Sequence, residues 1–480
     1  MSIKKSVEIK KFNNFSNQNI VAVDKFYNCL PTDNKLLNCM GVGVAKLPYD
    51  VDDMTLYPLN TDKLNLESID GVAYFKQFYK KSGNTQHKLL VYGSDKKVYL
   101  NQMFDQDMDL YWLYSLEFDS APITLSYKKN DEDVIILASK EQMKIWKTGY
   151  SPYTVSDVPI ITSMCMNDGV LFCTIQEPAF KVWYATDLDA ENIGNISKNS
   201  GYISLEDDLG YARKIVTFDH DVFVFRDYGI SKISFVKNNI SVNQVYLSNT
   251  KILSNTVSVC GNIIMFMTNE GLHTFNGVKV SKTNVNIHDM LTGLNQNAVA
   301  SSLGDKYYLA VKLDFEDNNK ILCEQFDCIN NALVVVDIND YSYQVVRGVD
   351  IKSLLPLKTE KIETMLCTFN TKDNKKLGQI QQGATSFDES LPKYWSSSDL
   401  VDNYKVKLFT KLTVKADINI KFNLIYDGKS ISFTTYKTGL NEFCFKINCK
   451  QMRLEISSND SSAQVDHVVL DYYEYWFINA

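Results

Sequence analysis

The sequence predicts an all-β protein: a six- to eight-bladed β-propeller, with seven blades favoured, and a small C-terminal jelly-roll-like β-sandwich. Three observations support this. Aromatic residues make up 12% of the chain, with 28 Tyr and 25 Phe, and such side chains suit a pleated, half-buried strand surface. Short runs of β-branched and aromatic residues recur, each ended by Gly, Asp or Asn. Between these runs no segment has the length and period of a packed helix.

The runs form a repeat. An apolar strand of four to six residues is followed by a polar turn and then by a shorter apolar strand, and successive copies begin about 46 residues apart. Repeats of this length with three or four short strands each are typical of propeller blades, whereas stacked β-sandwiches would not divide the region so evenly. The seven copies span residues 89–100, 134–146, 170–184, 222–233, 263–275, 307–336 and 364–380.

Changes in composition divide the chain into three parts. Residues 1–60 are loosely patterned, and we expect this arm to close or flank the propeller by adding a strand to the sheet that closes the ring. The propeller is predicted over residues 61–390, with one short helical piece at 285–293. The sandwich is predicted over residues 391–480, where closely spaced strands surround the hairpin signal Asp427-Gly428.

The charge and the cysteine content of the chain indicate which binding partners and which cellular compartment to expect. The net charge is -7 and carries no long basic run, so we expect no sequence-specific nucleic-acid binding. Ten cysteines are irregularly spaced and lack the CxxC pattern, which favours reduced thiols in a chain made in a reducing cytoplasm. The first residues do not resemble a secretory signal. No apolar run reaches the length of a membrane span.

Catalytic and metal-binding motifs do not emerge from the pattern. There is no Gly-x-Ser-x-Gly element for a serine hydrolase, and the five histidines lie far apart, unlike zinc ligands. Asp105, Asp107 and Asp109 begin like a calcium loop, but Leu110 and Leu116 replace its glycine and bidentate glutamate. We therefore expect no enzyme, no cofactor and no metal.

Two groups of residues are candidates for contacts with other molecules. Asp187, Asp189 and Glu191 follow the pair Trp183-Tyr184 and are predicted to form an exposed loop that touches a neighbouring subunit rather than a calcium ion. Aromatic residues form the second group, because they could serve as stacking platforms for sugars, although aromatics at strand spacing are more often core or interface. The run from Tyr472 to Trp476 is the better candidate for a subunit contact. The candidates in this group are Trp395, Tyr473 and Trp476.

One stretch carries a family resemblance. The segments Trp-Tyr-Ala-Thr-Asp-Leu-Asp-Ala-Glu-Asn from Trp183, Gly-Tyr-Ile-Ser-Leu from Gly201, and Val-Phe-Val-Phe-Arg-Asp-Tyr-Gly-Ile-Ser-Lys-Ile from Val222 occur in order. Much later come Tyr-Trp-Ser at Tyr394 and the strand at 405–413. Together they resemble β-propeller structural proteins in the virions of tailed bacteriophages of Gram-positive hosts.

The resemblance implies a function carried by surfaces. In that group a propeller with a small sandwich is a non-enzymatic part of the neck, tail or baseplate. We therefore expect a multi-copy virion protein, made in the host cytoplasm, that forms a ring and joins other virion proteins, including at the head-tail connection. The alternative is a receptor-binding or adsorption protein that recognises host-surface glycan. A propeller hydrolase is a third, less favoured hypothesis.

Overall fold

The fold is known from a computed structural model. It describes residues 2–9, 11–13, 23–48, 56–59, 69–103, 110–129, 131–140, 142–155, 158–186, 200–236, 239–291, 293, 295–317, 320–360, 362–370, 375–383, 385–386, 389–400, 405–460 and 462–475. Within these ranges the regular structure is almost entirely strand, with two short 3-10 turns, His288–Met290 and Leu322–Gln325. The chain is therefore all-β, as the sequence predicts.

Seven strands precede the first blade. They are β1 (Ser2–Ile9), β2 (Val23–Tyr27), β3 (Leu30–Pro31), β4 (Leu36–Leu37), β5 (Met40–Val44), β6 (Lys46–Pro48) and β7 (Leu56–Pro58). Strands β6 and β7 pair with each other. The others join sheets formed by distant parts of the chain.

Six blades are formed by consecutive chain segments, each an antiparallel sheet of four strands in sequence order. Blade 1 holds β8 (Ile69–Tyr79), β9 (Asn84–Gly93), β10 (Lys97–Met103) and β11 (Tyr111–Glu117). Blade 2 holds β12 (Ile123–Lys129), β13 (Glu132–Ala138), β14 (Met143–Lys147) and β15 (Tyr153–Val155). Blade 3 holds β16 (Ile161–Asn167), β17 (Val170–Ile175), β18 (Lys181–Ala185) and β19 (Ser200–Ser204).

The next three blades follow the same order. Blade 4 holds β20 (Ala212–Phe218), β21 (Asp221–Arg226), β22 (Gly229–Val236) and β23 (Asn239–Leu247). Blade 5 holds β24 (Ile252–Cys260), β25 (Ile263–Thr268), β26 (Gly271–Phe275) and β27 (Val280–Lys282). Blade 6 holds β28 (Val299–Leu303), β29 (Lys306–Val311), β30 (Ala332–Asp337) and β31 (Tyr343–Arg347).

Blade 7 is composite. Its first three strands are β32 (Asp350–Lys358), β33 (Glu363–Asn370) and β34 (Lys375–Gln382). Its fourth is β5 from the N-terminal arm, which pairs with β34 so that Val42 lies opposite Ile380. Two short strands, β35 (Thr385–Ser386) and β36 (Glu389–Ser390), extend this sheet. The arm therefore supplies the strand that completes the last blade.

The blades close into a ring through their first strands. Strands β12, β16, β20, β24, β28 and β32 contact one another in order, β32 contacts β8 of blade 1, and β8 contacts β13 of blade 2. Apolar side chains fill the space between neighbouring blades: Trp183 belongs to the core of blades 2 and 3, and Phe225 and Phe266 to that of blades 4 and 5. This is a seven-bladed propeller, and its seven central hairpins are those that the repeat predicts.

The C-terminal strands form two facing sheets. They are β37 (Lys393–Ser397), β38 (Lys407–Ala416), β39 (Lys421–Tyr426), β40 (Lys429–Thr434), β41 (Gly439–Cys449), β42 (Arg453–Ser458) and β43 (Val465–Tyr475). One sheet contains β38, β41 and β43 together with β1, β3 and β4, and the other contains β37, β39, β40 and β42 together with β2. The sandwich therefore takes strands from both ends of the described chain, which the sequence pattern did not indicate.

The sandwich is fixed to blade 6 by a turn after β2. Asn28 is fully buried and has φ of 55°, a left-handed conformation that asparagine tolerates better than most residues. Its amide N–H donates to the Val345 carbonyl at 2.7 Å. Its side chain accepts from the Arg347 amide at 2.7 Å and donates to the Pro392 carbonyl at 3.0 Å. One residue thus links blade 6, the arm and the sandwich.

Candidate interaction surface

The resemblance segment Phe-Arg-Asp-Tyr-Gly forms the turn between β21 and β22, at one end of blade 4. Two neighbouring segments meet this turn through backbone hydrogen bonds. The Tyr228 amide donates to the Leu209 carbonyl at 2.9 Å, and the Ser248 amide donates to the Tyr228 carbonyl at 2.8 Å. The loop before β20, the hairpin turn and the end of β23 therefore form one continuous surface.

The buried side chain of Arg226 holds this surface in place through hydrogen bonds to the loop before β20. Its side chain is buried, and its Nε and Nη2 donate to the Gly210 carbonyl, the former at 3.0 Å. Nη2 also donates to the Leu205 carbonyl at 2.7 Å, and Nη1 forms an ion pair with Asp207. A buried guanidinium requires such partners because an unpaired charge in the interior is costly. Arg226 thus fixes the loop 205–210 against the hairpin.

Asp227, in the same hairpin turn, holds the neighbouring residues Tyr211, Arg213 and Lys251 next to the turn. Its carboxylate accepts hydrogen bonds from Arg213 Nε at 3.0 Å and from the Tyr211 amide at 3.1 Å, and Lys251 Nζ lies 3.5 Å from it. Burial acts to raise the pKa of Asp227, but the hydrogen bonds from Arg213 and Tyr211 and the positive charges of Arg213 and Lys251 outweigh it and hold that pKa below its usual value. The carboxylate is therefore a stable ionic anchor at neutral pH.

Two glycines allow the segments to approach so closely. A Cβ atom at Gly210, where φ is +80°, would lie 2.8 Å from the Asp227 Cβ. A Cβ atom at Gly229 would be inside van der Waals contact of the Tyr246 carbonyl oxygen. Any larger residue would have to displace backbone at these positions. Packing thus requires the glycine of the Tyr-Gly pair, Gly229.

Three large apolar side chains are exposed on this support: Tyr211 by 51%, Tyr228 by 43% and Leu247 by 59%. The Arg213 guanidinium lies 5.0 Å from the centre of the Tyr211 ring, within the range of a cation–π interaction. We call Tyr211, Arg213, Tyr228 and Leu247 the blade 4 patch. Tyr and Arg on a rigid backbone are the residue types that dominate protein–protein hot spots.

None of these four residues is a candidate on the sequence pattern alone. The sequence contains one local indication of this patch: Tyr228 occupies a hairpin turn, where a polar residue is more usual. Tyr211 and Leu247 have no such local indication, because they reach the turn only when blade 4 is folded. The blade 4 patch therefore follows from the structure.

None of the residues selected from sequence belongs to the blade 4 patch. Asp187, Asp189 and Glu191 lie outside the described residues, as does Trp476. Trp395 has 0% exposure: its ring packs against Phe12 with centroids 5.4 Å apart, and its indole N–H donates to the Phe12 carbonyl at 3.1 Å. Its surroundings are those of a core tryptophan whose single donor is satisfied, so this side chain does not reach the surface.

Tyr473 lies on β43, between two neighbouring strands. It is opposite Lys4 of β1 and Leu408 of β38, and its side chain is half-buried. Beside it, Glu474 forms an ion pair with Lys5. Tyr473 thus contributes to the pairing of the N-terminal and C-terminal strands, and the structure does not bring it near the blade 4 patch.

Among the described residues, no group of three or more His, Cys, Asp or Glu side chains is arranged to hold a metal ion. All ten cysteines are described; none forms a disulfide, and nine are buried, with Cys444 exposed. Burial raises the pKa of the Cys39 and Cys165 thiols to about 12. The described part of the chain also contains no helix that could cross a membrane.

Fold and surface together define a seven-bladed β-propeller with an attached β-sandwich and an exposed aromatic patch. No protein-family model and no curated protein matches the chain. Among solved structures it is similar to PorZ, an essential bacterial surface component of the type-IX secretion system of Porphyromonas gingivalis, at 10% identity and a TM-score of 0.37, covering 86% of this chain and 59% of that one. It is also similar to Hsv2 of Kluyveromyces lactis, at 9% identity and a TM-score of 0.33, covering 72% of this chain and 99% of that one.

Proposed function

We propose that this protein is a non-enzymatic structural component of a tailed phage virion, present in several copies at the neck, tail or baseplate. The blade 4 patch is the observation that carries the proposal. Its exposed Tyr211, Tyr228 and Leu247 rest on a backbone fixed by buried Arg226 and Asp227, and preorganised aromatic surface reduces the entropy lost on binding. The sequence resemblance supports the assignment to a virion.

The architecture suits such a role. Both ends of the described chain are paired within the sandwich, and the ring is closed by a strand from the arm. A rigid disc with few free sheet edges can be packed at high local concentration without edge-to-edge aggregation. The protein would then join its neighbours through side-chain surfaces such as the blade 4 patch.

Assembly of the purified protein tests the proposal. Native mass spectrometry of the wild-type chain, alone and mixed with the virion proteins encoded beside it, is compared with the double variant Tyr211→Ser, Tyr228→Ser. We expect multimers or complexes with the wild type and at least a tenfold loss with the variant, because hot-spot aromatics each contribute about 2 kcal/mol or more.

The control is Tyr436→Ser, since Tyr436 is also exposed but lies on the sandwich. This variant is expected to assemble like the wild type. Proteomic analysis of purified virions gives an independent readout. Absence of the chain from virions, or equal assembly of the wild type and the double variant, would contradict the proposal.

A second function, adsorption to a host-surface glycan, is favoured by one different observation. A cleft whose lining includes several asparagines lies between the sandwich and blades 5 and 6. Immunogold labelling of virions separates the two functions: labelling only at the tail tip, with antibody blocking adsorption, would favour this second function over a neck component.

A further inference from the structure

The cleft between the sandwich and the propeller has a volume of about 810 Å³. Three separate parts of the chain line it: residues 282–286 and His288 after blade 5, residues 340–343 of blade 6, and Asn13 and Pro31 of the N-terminal arm. We call this the junction cleft. Clefts between domains are frequent ligand sites because they combine concave shape with side chains from independent segments.

The walls of the junction cleft are held by contacts behind them. Val285 and Ile287 are buried in the main core, while the alternate residues Asn284 and Asn286 are exposed. The Tyr343 hydroxyl donates to the Asn286 carbonyl at 3.3 Å. The backbone of this wall is thus fixed, and its side-chain amides point away from the core.

Hydrogen bonds also hold the wall of the junction cleft that residues 340–343 form. Tyr341 has φ of 57°, an uncommon conformation for a bulky residue, and its amide donates to the Asp337 carbonyl at 2.9 Å. The Asp340 carboxylate accepts from the Ser342 amide at 2.8 Å. These contacts place the half-buried Tyr341 and Ser342 beside the wall that carries Asn284 and Asn286. Strained residues that their surroundings hold in place are concentrated at functional sites.

The lining of the junction cleft is part polar and part apolar, and its charges nearly balance. Asn13, Asn284 and Asn286 offer side-chain amides, and none of the three amides forms a hydrogen bond with a described residue. Each amide can donate and accept, as a sugar hydroxyl or acetamido group also does. Tyr341 adds an apolar ring with a polar end.

Charge argues against other ligand classes. The described lining contains one carboxylate, from Asp340, one ammonium, from Lys282, and the imidazole of His288. A phosphate-rich ligand would require several lysines or arginines, and an apolar ligand would leave the amides without partners. Neutral, hydroxyl-rich molecules match the lining best.

We propose that the junction cleft binds a neutral or N-acetylated oligosaccharide through the side-chain amides of Asn13, Asn284 and Asn286, with Tyr341 packing against a sugar ring. This proposal rests on the second function, adsorption to a host-surface glycan, and it uses residues other than those of the blade 4 patch. A sugar-binding cleft whose walls come from both the arm and the propeller would exist only in the assembled fold.

The test uses the full chain on a microarray of neutral and N-acetylated oligosaccharides, including oligomers of N-acetylglucosamine, together with anionic polymers. The highest-ranking oligosaccharide is then titrated by calorimetry. We expect the wild type to bind and the double variant Asn284→Ala, Asn286→Ala to lose at least about tenfold in affinity, since each amide hydrogen bond contributes a substantial part of such an interaction.

The matched control is Asn448→Ala, which removes an exposed amide on the outer surface of the sandwich and is expected to bind like the wild type. Thermal unfolding of all three proteins shows whether the fold is retained. Binding by no oligosaccharide, binding to anionic polymers alone, or equal affinity of the wild type and the double variant would overturn the proposal. The Tyr211→Ser, Tyr228→Ser variant, which leaves the cleft intact, is expected to bind sugar normally and so separates this result from the assembly test.

Discussion

Blades 4 and 7 have the same four-stranded form but different origins. Blade 4 is a continuous segment, from Ala212 to Leu247, whose strands pair with their neighbours in sequence. Blade 7 obtains its fourth strand from Met40–Val44, more than three hundred residues away in the chain. Local pairing costs little loop entropy, whereas the closing strand can add stability only after the ring has formed.

The comparison separates two roles. Blade 4 can form locally, and it carries an exposed aromatic patch on a rigid turn. Blade 7 joins the ends of the ring, and beside it Asn28 connects blade 6 to the sandwich. We therefore expect damage at blade 7 to affect the stability of the whole molecule, and surface changes at blade 4 to affect partners more than stability.

The largest effect is expected from a charge inside the closing strand. Val42 is fully buried in the core of blades 6 and 7, so Val42→Asp should lower the free energy of unfolding by roughly 4 kcal/mol, as for an unpaired buried charge. Denaturant unfolding followed by fluorescence measures this. Val44→Asp on the same strand is the control, because Val44 is 41% exposed. Equal effects of the two substitutions would disprove the importance of closure.

The link to the sandwich should rank next. Asn28→Ala removes two side-chain hydrogen bonds and places alanine at φ of 55°, at an expected cost of about 3 kcal/mol. Asn28→Gly should cost less, since glycine adopts this φ readily. Calorimetric melting compares the two variants. A glycine variant less stable than the alanine variant would show that the backbone conformation is not the cause.

A smaller, local effect is expected in blade 4. Gly229→Ala forces a methyl group towards the Tyr246 carbonyl, and overpacking of this kind costs about 2 kcal/mol. The control is Gly71→Ala, whose added Cβ would meet the Ala121 Cβ at an ordinary 3.4 Å. Hydrogen exchange should show faster exchange confined to β22 and β23. Loss of protection throughout the ring would contradict the view of blade 4 as a local unit.

We expect the smallest effect at the contact between blades 1 and 7, where the contribution of His87 to stability depends on pH. His87 Nδ1 lies 2.6 Å from the Tyr74 hydroxyl, and Lys76 and Glu360 also face the ring. Burial lowers the pKa of His87; the negative charge of Glu360 partly offsets this, and Lys76 adds to it.

A depressed histidine pKa means that the neutral form is favoured in the folded state. The corresponding stability is fully present above the unfolded value of 6.5 and declines as pH falls below it. Melting temperatures measured between pH 7 and pH 5 should therefore fall less steeply in His87→Gln than in the wild type. His467→Gln, at a partly exposed position on the sandwich, is the control. Identical pH profiles for His87→Gln and the wild type would show that His87 does not cause this pH dependence.

Much of the fold could be predicted because its signal is local. The central hairpins of all seven blades correspond to apolar runs separated by turns, such as Val222–Phe225 and Ile230–Ile233 in β21 and β22. The closely spaced strands predicted for the sandwich are present as β38 to β43. Buried strands with tight turns leave this pattern in any sequence.

The long-range arrangement and the surface were not predictable in the same way. Pairing of β1 with β43 and of β2 with β37 joins opposite ends of the chain, and no local pattern records such partners. Trp395 was a candidate for an exposed contact, yet it is buried against Phe12, a neighbour 383 residues away. The blade 4 patch likewise depends on residues that meet only in three dimensions.

The proposed virion role is tested most directly by a cryo-electron microscopy reconstruction of phage particles made from a genome that carries the gene for this chain. We expect several copies of a seven-bladed disc arranged around the neck or tail axis, with Tyr211, Tyr228 and Leu247 buried against another virion protein or a second copy. A virion without the disc, or one in which these three side chains face solvent in every copy, would contradict it.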